Sequence, residues 1–451
     1  MLISMVHKSK QLFPCLYVAV AISMLIFYGC GGGANNSSSQ EPPDNNPPAS
    51  TWQKTLVKQL DAGGLLSPEV KAVTDSEGKV HVSYFTDNQG SSGTYDVHYL
   101  VRDMQAGLAQ AGSQSESVAS IDNSRNLDLA LDHNSVPVIV YQGGEIRECG
   151  SEQQSDAMLS IRGNGLWQEY TGATGIVERN PVFTDGLAGT EVSVAFDSHG
   201  DVHIAYQFLY EGCDSMNFQY PDLYYVKKQR TALNDSGTVE EVVEGNQYGG
   251  PNIQNRAGDF PVLVIDGSDN PVIFYYAELQ DMTQGLRVAR RNGNGTWEKE
   301  WIETGCEIGG ISAGMNNQGV LGVAYYIKHC TDGRSDTHYV KYARQEGSSW
   351  TVQTVDDTIL CGKYPSLSFD SSGFPAIAYY EIESHSGYDL KNLRLARFKD
   401  GSWSDRDRIA SEGDIGLYNN LWFDADDAPV ITSYSQTDTS IYFFNKTDGG
   451  S

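Results

Sequence analysis

The feature that most limits how this chain can fold is a repeat. Segment 192–206 (VSVAFDSHGDVHIAY) lies on segment 366–379 (SLSFDSSGFPAIAY), with apolar residues alternating on both sides of a polar turn. Five further copies follow, so that the turns centre on Asp75, Asp132, Asp197, Asp266, Asn316, Asp370 and Asp424. An aromatic stands nine residues beyond the turn residue in six copies, at Tyr84, Tyr141, Tyr206, Tyr275, Tyr325 and Tyr379. The seventh has Ser433 there, with Tyr434 beside it. Strand side chains alternate between faces, and Asp with Gly suits a tight turn, so each copy reads as a β-hairpin.

A second hairpin follows in most copies: Leu286 to Arg290 before Trp297, Tyr339 to Arg344 before Trp350, Leu393 to Arg397 before Trp403. Each unit therefore has four strands. Successive turn residues lie 57, 65, 69, 50, 54 and 54 positions apart, and four-stranded units of about 50 residues are blades of a propeller. The expected fold is all-β, a seven-bladed β-propeller of four-stranded blades. The last copy ends after three strands, whereas Thr51 to Leu60 matches the fourth-strand segment Ser402 to Ile409. Pairing this N-terminal strand with the C-terminal blade would close the ring and remove two exposed edges, with Trp52, Leu56 and Leu60 facing the sheet. One domain over 51–451 follows.

The chain carries 31 Lys and Arg against 58 Asp and Glu, a formal net charge of -27. Nucleic acid and anionic membrane surfaces need a basic face, so neither is an expected partner. His7, Lys8 and Lys10 precede an apolar run from Leu12 to Tyr28, the charged and apolar regions of a secretory signal over 1–29. Residues 30–50 are rich in Gly, Ser, Asn and Pro and read as a flexible tether. Phe27-Tyr28-Gly29-Cys30 resembles the processing site of bacterial lipoproteins, which implies that Cys30 is lipidated after secretion across the inner membrane. Gly31 stands where that family's inner-membrane retention signal has Asp, which implies outer-membrane anchoring.

With strands a to d running outward in each blade, the short repeated a–b and c–d turns share one face. The b–c and d–a loops share the other, including the long stretches 85–96, 142–156, 207–222 and 381–392. Variable loops on a rigid scaffold are where binding resides. Cys149, Cys213, Cys306, Cys330 and Cys361 all fall in those loops. Cys149 and Cys213 occupy b–c loops of adjacent blades and are expected to form a disulfide; among the other three, one is left over within the chain. No CxxC pair and no complete calcium loop is present, so the repeated Asp residues are read as turn formers and no metal or cofactor is expected. His81 and His203 fill one repeat position, and the repeated Trp residues are expected to pack between blades.

The c–d turns Asn292 to Trp297 and Lys399 to Trp403 resemble degenerate Asp-box turns of sialidase-like propellers. That resemblance implies a glycoside hydrolase with three arginines on a substrate carboxylate, for which Arg125, Arg179 and Arg256 stand before inner strands of blades two, three and four. No complete nucleophile, acid/base or metal motif accompanies them. The expected function is therefore that of a binding protein anchored to the cell envelope, taking a glycan or protein ligand on its loop face. A sialidase-like enzyme and an envelope scaffold are the alternatives. Candidate ligand contacts are Arg125, Arg179, Arg256, Glu278 and Glu381, with Tyr325 and Tyr379 nearer the channel.

Overall fold

The computed structural model describes residues 52–60, 69–87, 94–103, 115–122, 126–149, 152–173, 186–210, 221–234, 241–245, 255–330, 338–358, 360–385 and 388–446. The expected signal and tether, with Cys30, lie outside the described residues, as do Arg125, Arg179 and Cys213. Ala49–Ser451 forms one unit, an all-β ring of seven four-stranded blades. The inner strands a are Val70–Thr74, Leu127–Leu131, Gly186–Phe196, Arg256–Ile265, Cys306–Met315, Cys361–Phe369 and Ile415–Phe423. Blades 2 and 3 are also linked by a single backbone pairing, Leu187 with Ser155.

The seven turn residues share one chemistry. Asp75 Oδ1 accepts the amides of Glu77 and Lys79 at 2.9 and 2.8 Å, and the same two acceptances recur at Asp132, Asp197, Asp266, Asn316, Asp370 and Asp424. The fourth turn residue takes positive φ, as at Gly78 with φ 78°, which is why Gly recurs there. Asn316 replaces Asp without loss because the motif needs only the carbonyl-type oxygen. Among the described residues no metal-binding cluster forms around these turns.

The repeated Tyr residues of strand b, with Tyr434, are among the largest fully buried side chains. Tyr141, Tyr275, Tyr325 and Tyr379 place their hydroxyls on carboxylates, as suits a buried phenol: Tyr275 bonds Glu244 at 2.5 Å and Tyr379 bonds Asp356 at 2.6 Å, each on the preceding blade. The fourth-strand tryptophans clasp neighbouring blades. Trp167, Trp297, Trp350 and Trp403 meet Tyr99, Tyr225, Phe274 and Tyr342 edge-on, and their Nε1 groups donate to Glu116, Glu241, Glu300 and Gln353. His81 and His203 join the same packing, each linking its turn Asp to Tyr99 or Tyr225.

The ring closes through Trp52–Gln59, which pairs antiparallel with Ser440–Lys446. One expectation is corrected here. A register shift between Leu56 and Lys58 breaks the alternation, so Leu56 is 49% exposed while Val57 and Leu60 are buried. Cys306 and Cys330 form a disulfide joining strands a and b of blade 5, and Cys361 is the free, buried thiol. The expected Cys149–Cys213 bond lies outside the residues whose side chains are described.

Candidate functional site

Inner strands of neighbouring blades are bridged around the channel by side chains reaching backbone groups. Glu69 Oε2 accepts the Leu127 amide at 2.9 Å, and Asp128 Oδ2 accepts the Val194 amide at 2.9 Å. Ser193 and Ser312 accept from Leu263 and Leu367, Ser366 from Leu421, and Asn420 Nδ2 donates to Val70 O at 3.2 Å across the closure. Register shifts interrupt these strands in blades 3 to 7. The shift nearer the turn in each of these strands spans a residue that lines the cavity at the axis.

The residue turned inward stands six positions before the turn residue in every blade. From blade 1 to blade 7 it is Glu69, Asn126, Glu191, Phe260, Gly310, Tyr364 and Tyr418. All seven line one cavity of about 320 Å³ on the channel axis, at the d–a loop end of the inner strands. The cavity is two-sided, with carboxyl and amide groups from blades 1 to 3 and aromatics from blades 4, 6 and 7. Gly310 leaves a gap between Phe260 and Tyr364.

The aromatic side is strained. Phe260, Tyr364 and Tyr418 have φ of 54°, 51° and 51°, the left-handed region that side chains bearing Cβ avoid at a cost of about 1–2 kcal/mol each. Tyr364 and Tyr418 pack with ring centroids 4.7 Å apart. Asn419, 8% exposed, also lines the cavity, and its Oδ1 has no donor among the described residues.

The polar side holds its charges unequally. Lys71 Nζ lies 3.7 Å from Glu69 and 3.8 Å from Asp128; burial opposes its charge, yet these carboxylates keep the ammonium above its usual value. Burial raises the Glu69 carboxyl against the pull of Lys71. Glu191 accepts the Phe260 amide and forms no ion pair with any described residue. Burial, and then the negative charge of Asp259, pushes its carboxyl up to about 8. Asp259 itself is bound by Arg256 and Gln207.

Of the seven expected contacts, Arg125 and Arg179 lie outside the described residues, and the other five do not line this cavity. Arg256 and Glu278 are register partners across strands a and b of blade 4, and Arg256 is engaged by Asp259. Tyr325 and Tyr379 lie fully buried between blades with hydroxyls on Glu303 and Asp356, so blade packing, not the channel, occupies them. Glu381 is 3% exposed and holds Arg394 through two bonds of 2.8 and 2.9 Å, with Asn392 at 2.7 Å. The residues missed were the seven inward ones, which the repeat template places at one fixed offset.

No family model matches the sequence, and no curated protein matches it. Among solved structures the chain is similar to an ulvan lyase from a new family of polysaccharide lyases, at 12% identity over 88% of this chain and 94% of that one, with a TM-score of 0.49. It is also similar to Trypanosoma rangeli sialidase in complex with sialic acid, at 10% identity over 75% and 56% of the two chains and a TM-score of 0.42. Penicillium chrysogenum α-L-arabinanase matches at 11% identity over 88% and 98%, with a TM-score of 0.43. These likenesses concern the propeller fold alone.

Proposed function

We propose that the chain binds a glycan at the mouth of its central channel. The observation that supports this most is the trio Phe260, Tyr364 and Tyr418, three equivalent aromatics kept in a strained conformation at one cavity opposite carboxyl groups. Strain of this kind persists where surrounding structure and function favour it. A sugar ring offers an apolar C–H face to an aromatic and a hydroxyl edge to carboxyl and amide groups, and a cavity of about 320 Å³ suits one or two sugar units. Protein partners use flat faces of about 800 Å² per side.

The test is a glycan array followed by titration calorimetry. Phe260→Asn with Tyr364→Asn keeps residues that tolerate positive φ and removes the platform. Wild type should retain at least one oligosaccharide class, and the double variant should bind it at least about tenfold more weakly, the loss of roughly 1.4 kcal/mol. Equal binding by both proteins would sink the proposal.

The same reading puts this site outside the cytoplasm on a lipid leash at Cys30. Its support is the lipoprotein-like segment 27–30, and the Cys306–Cys330 bond suits an oxidising compartment. Labelled palmitate should attach to wild type and not to Cys30→Ala; equal labelling of the two would remove the anchor.

A further inference from the structure

The charges around the channel mouth restrict which glycan it takes. Lys71 is the cation lining the cavity among the described residues, and it already stands between Glu69 and Asp128. Arg256, the next cation, is bound to Asp259. Glu69 and Glu191 line the same cavity. An anionic sugar would therefore meet no unpaired cation beside a carboxyl pair, Glu69 and Asp128, that already outnumbers Lys71, and like charges at about 4 Å cost on the order of 1–4 kcal/mol from water to a protein surface.

Glu191 is held differently from Glu69. One carboxyl oxygen takes the Phe260 amide, and the other has no partner among the described residues. Half-buried beside Asp259 and with no described cation paired to it, that carboxyl favours its protonated form, which can donate.

We propose that the channel mouth takes an uncharged glycan, that Glu191 donates a hydrogen bond from its protonated carboxyl to a sugar oxygen, and that carboxylated and sulfated sugars are excluded. This rests on the glycan reading above and narrows it to one chemical class. The groups facing Glu191 are Glu69 and Lys71 on blade 1, Asp128 on blade 2, Asp259 and Arg256 on blade 4, and the Tyr364 and Tyr418 phenols across the cavity. Burial raises Tyr364 above its usual value, and Lys71 is also held high, so neither loses its proton before Glu191, whose carboxyl sits at about 8. Ionisation of Glu191 removes the donor and adds a charge. Affinity for a neutral sugar then falls as pH rises.

The experiment titrates the full chain, at about 0.15 M salt to screen its bulk charge, with neutral tetrasaccharides of gluco, manno, galacto and N-acetylgluco configuration. Tetragalacturonate and sialyllactose are the anionic probes. At least one neutral probe should bind and neither anionic probe should. Binding by wild type should weaken about tenfold between pH 7 and 9, the loss expected if only the protonated form binds. Glu191→Gln keeps an uncharged donor and should show a flat pH profile, whereas Glu191→Leu should bind weakly at every pH. Preference for an anionic probe would overturn the substrate class while leaving the glycan reading intact. A pH-dependent loss that persists in Glu191→Gln would assign the proton elsewhere and overturn the role of Glu191. Binding of none of the six probes would overturn both.

Discussion

A chain lacking residues 52–60 is expected to lose the single cooperative unfolding transition of the full ring and to aggregate. This strand supplies seven register pairs to Ser440–Lys446. It also buries Val57 and Leu60 against Val70, Tyr84, Leu100, Tyr434, Ile441 and Phe443. Arg102 donates to Val57 O at 2.6 Å, and Leu60 exchanges bonds with Thr439. At roughly 2 kcal/mol for each buried side chain, those two alone contribute about 4 kcal/mol. The deletion also exposes an unpaired edge of blade 7 and opens a pairing surface for other chains. Urea unfolding and light scattering on the truncated chain measure both effects, and an unchanged midpoint would contradict the closure. Leu56→Ser is the control. Its side chain points to solvent, so a change within about 0.5 kcal/mol is expected.

The fold was legible because its repeated parts obey strict local chemistry. A turn that must hand two amides to one Oδ1 admits Asp or Asn and little else, so the seven copies announce themselves. The strand-b tyrosines repeat because each fills a space between blades. That same regularity misdirected the choice of site, since Tyr325 and Tyr379 were conspicuous through packing. At the channel mouth the physical demand is reversed. Residues there face an open channel rather than a matched socket in the next blade, so Glu, Asn, Phe, Gly and Tyr can stand at one position and no pattern draws the eye. The register shifts that aim them inward also break the alternation from which strand faces are read. Leu56 was misassigned for this reason. Counting back six residues from each turn, as one counts forward nine to the tyrosines, would have found the ring, although its cavity is visible only once the blades are assembled.

Asp197→Ala should be the most damaging single substitution in the turns. The Asp197 side chain is 1% exposed and serves four donors. Its Oδ1 takes the amides of His199 and Asp201, and its Oδ2 takes His203 Nε2 at 3.2 Å and Lys227 Nζ at 2.6 Å. Removing the acceptor strands a buried histidine whose other nitrogen is engaged by the Tyr225 hydroxyl at 2.7 Å. Loss of one partner from a buried charged network costs about 3–5 kcal/mol, whereas Asp197→Asn keeps Oδ1 and should cost less. The pH dependence has a definite sign. Burial opposes the Asp197 charge, yet Lys227, His203 and the amides outweigh it and hold the carboxyl well below its usual range. Its contribution is present above the unfolded value of about 3.9 and is lost as pH falls toward the folded one. Burial lowers His203 and His81, so the unfolded chain protonates these two first and their own contribution falls below about pH 6.5, opposed by the raised Glu191 and Glu69 carboxyls, which take up protons first in the folded chain. Urea midpoints measured across this range should show both steps in wild type and a diminished acid step in Asp197→Ala. An acid step of full size in the variant would show that Asp197 is not the group responsible.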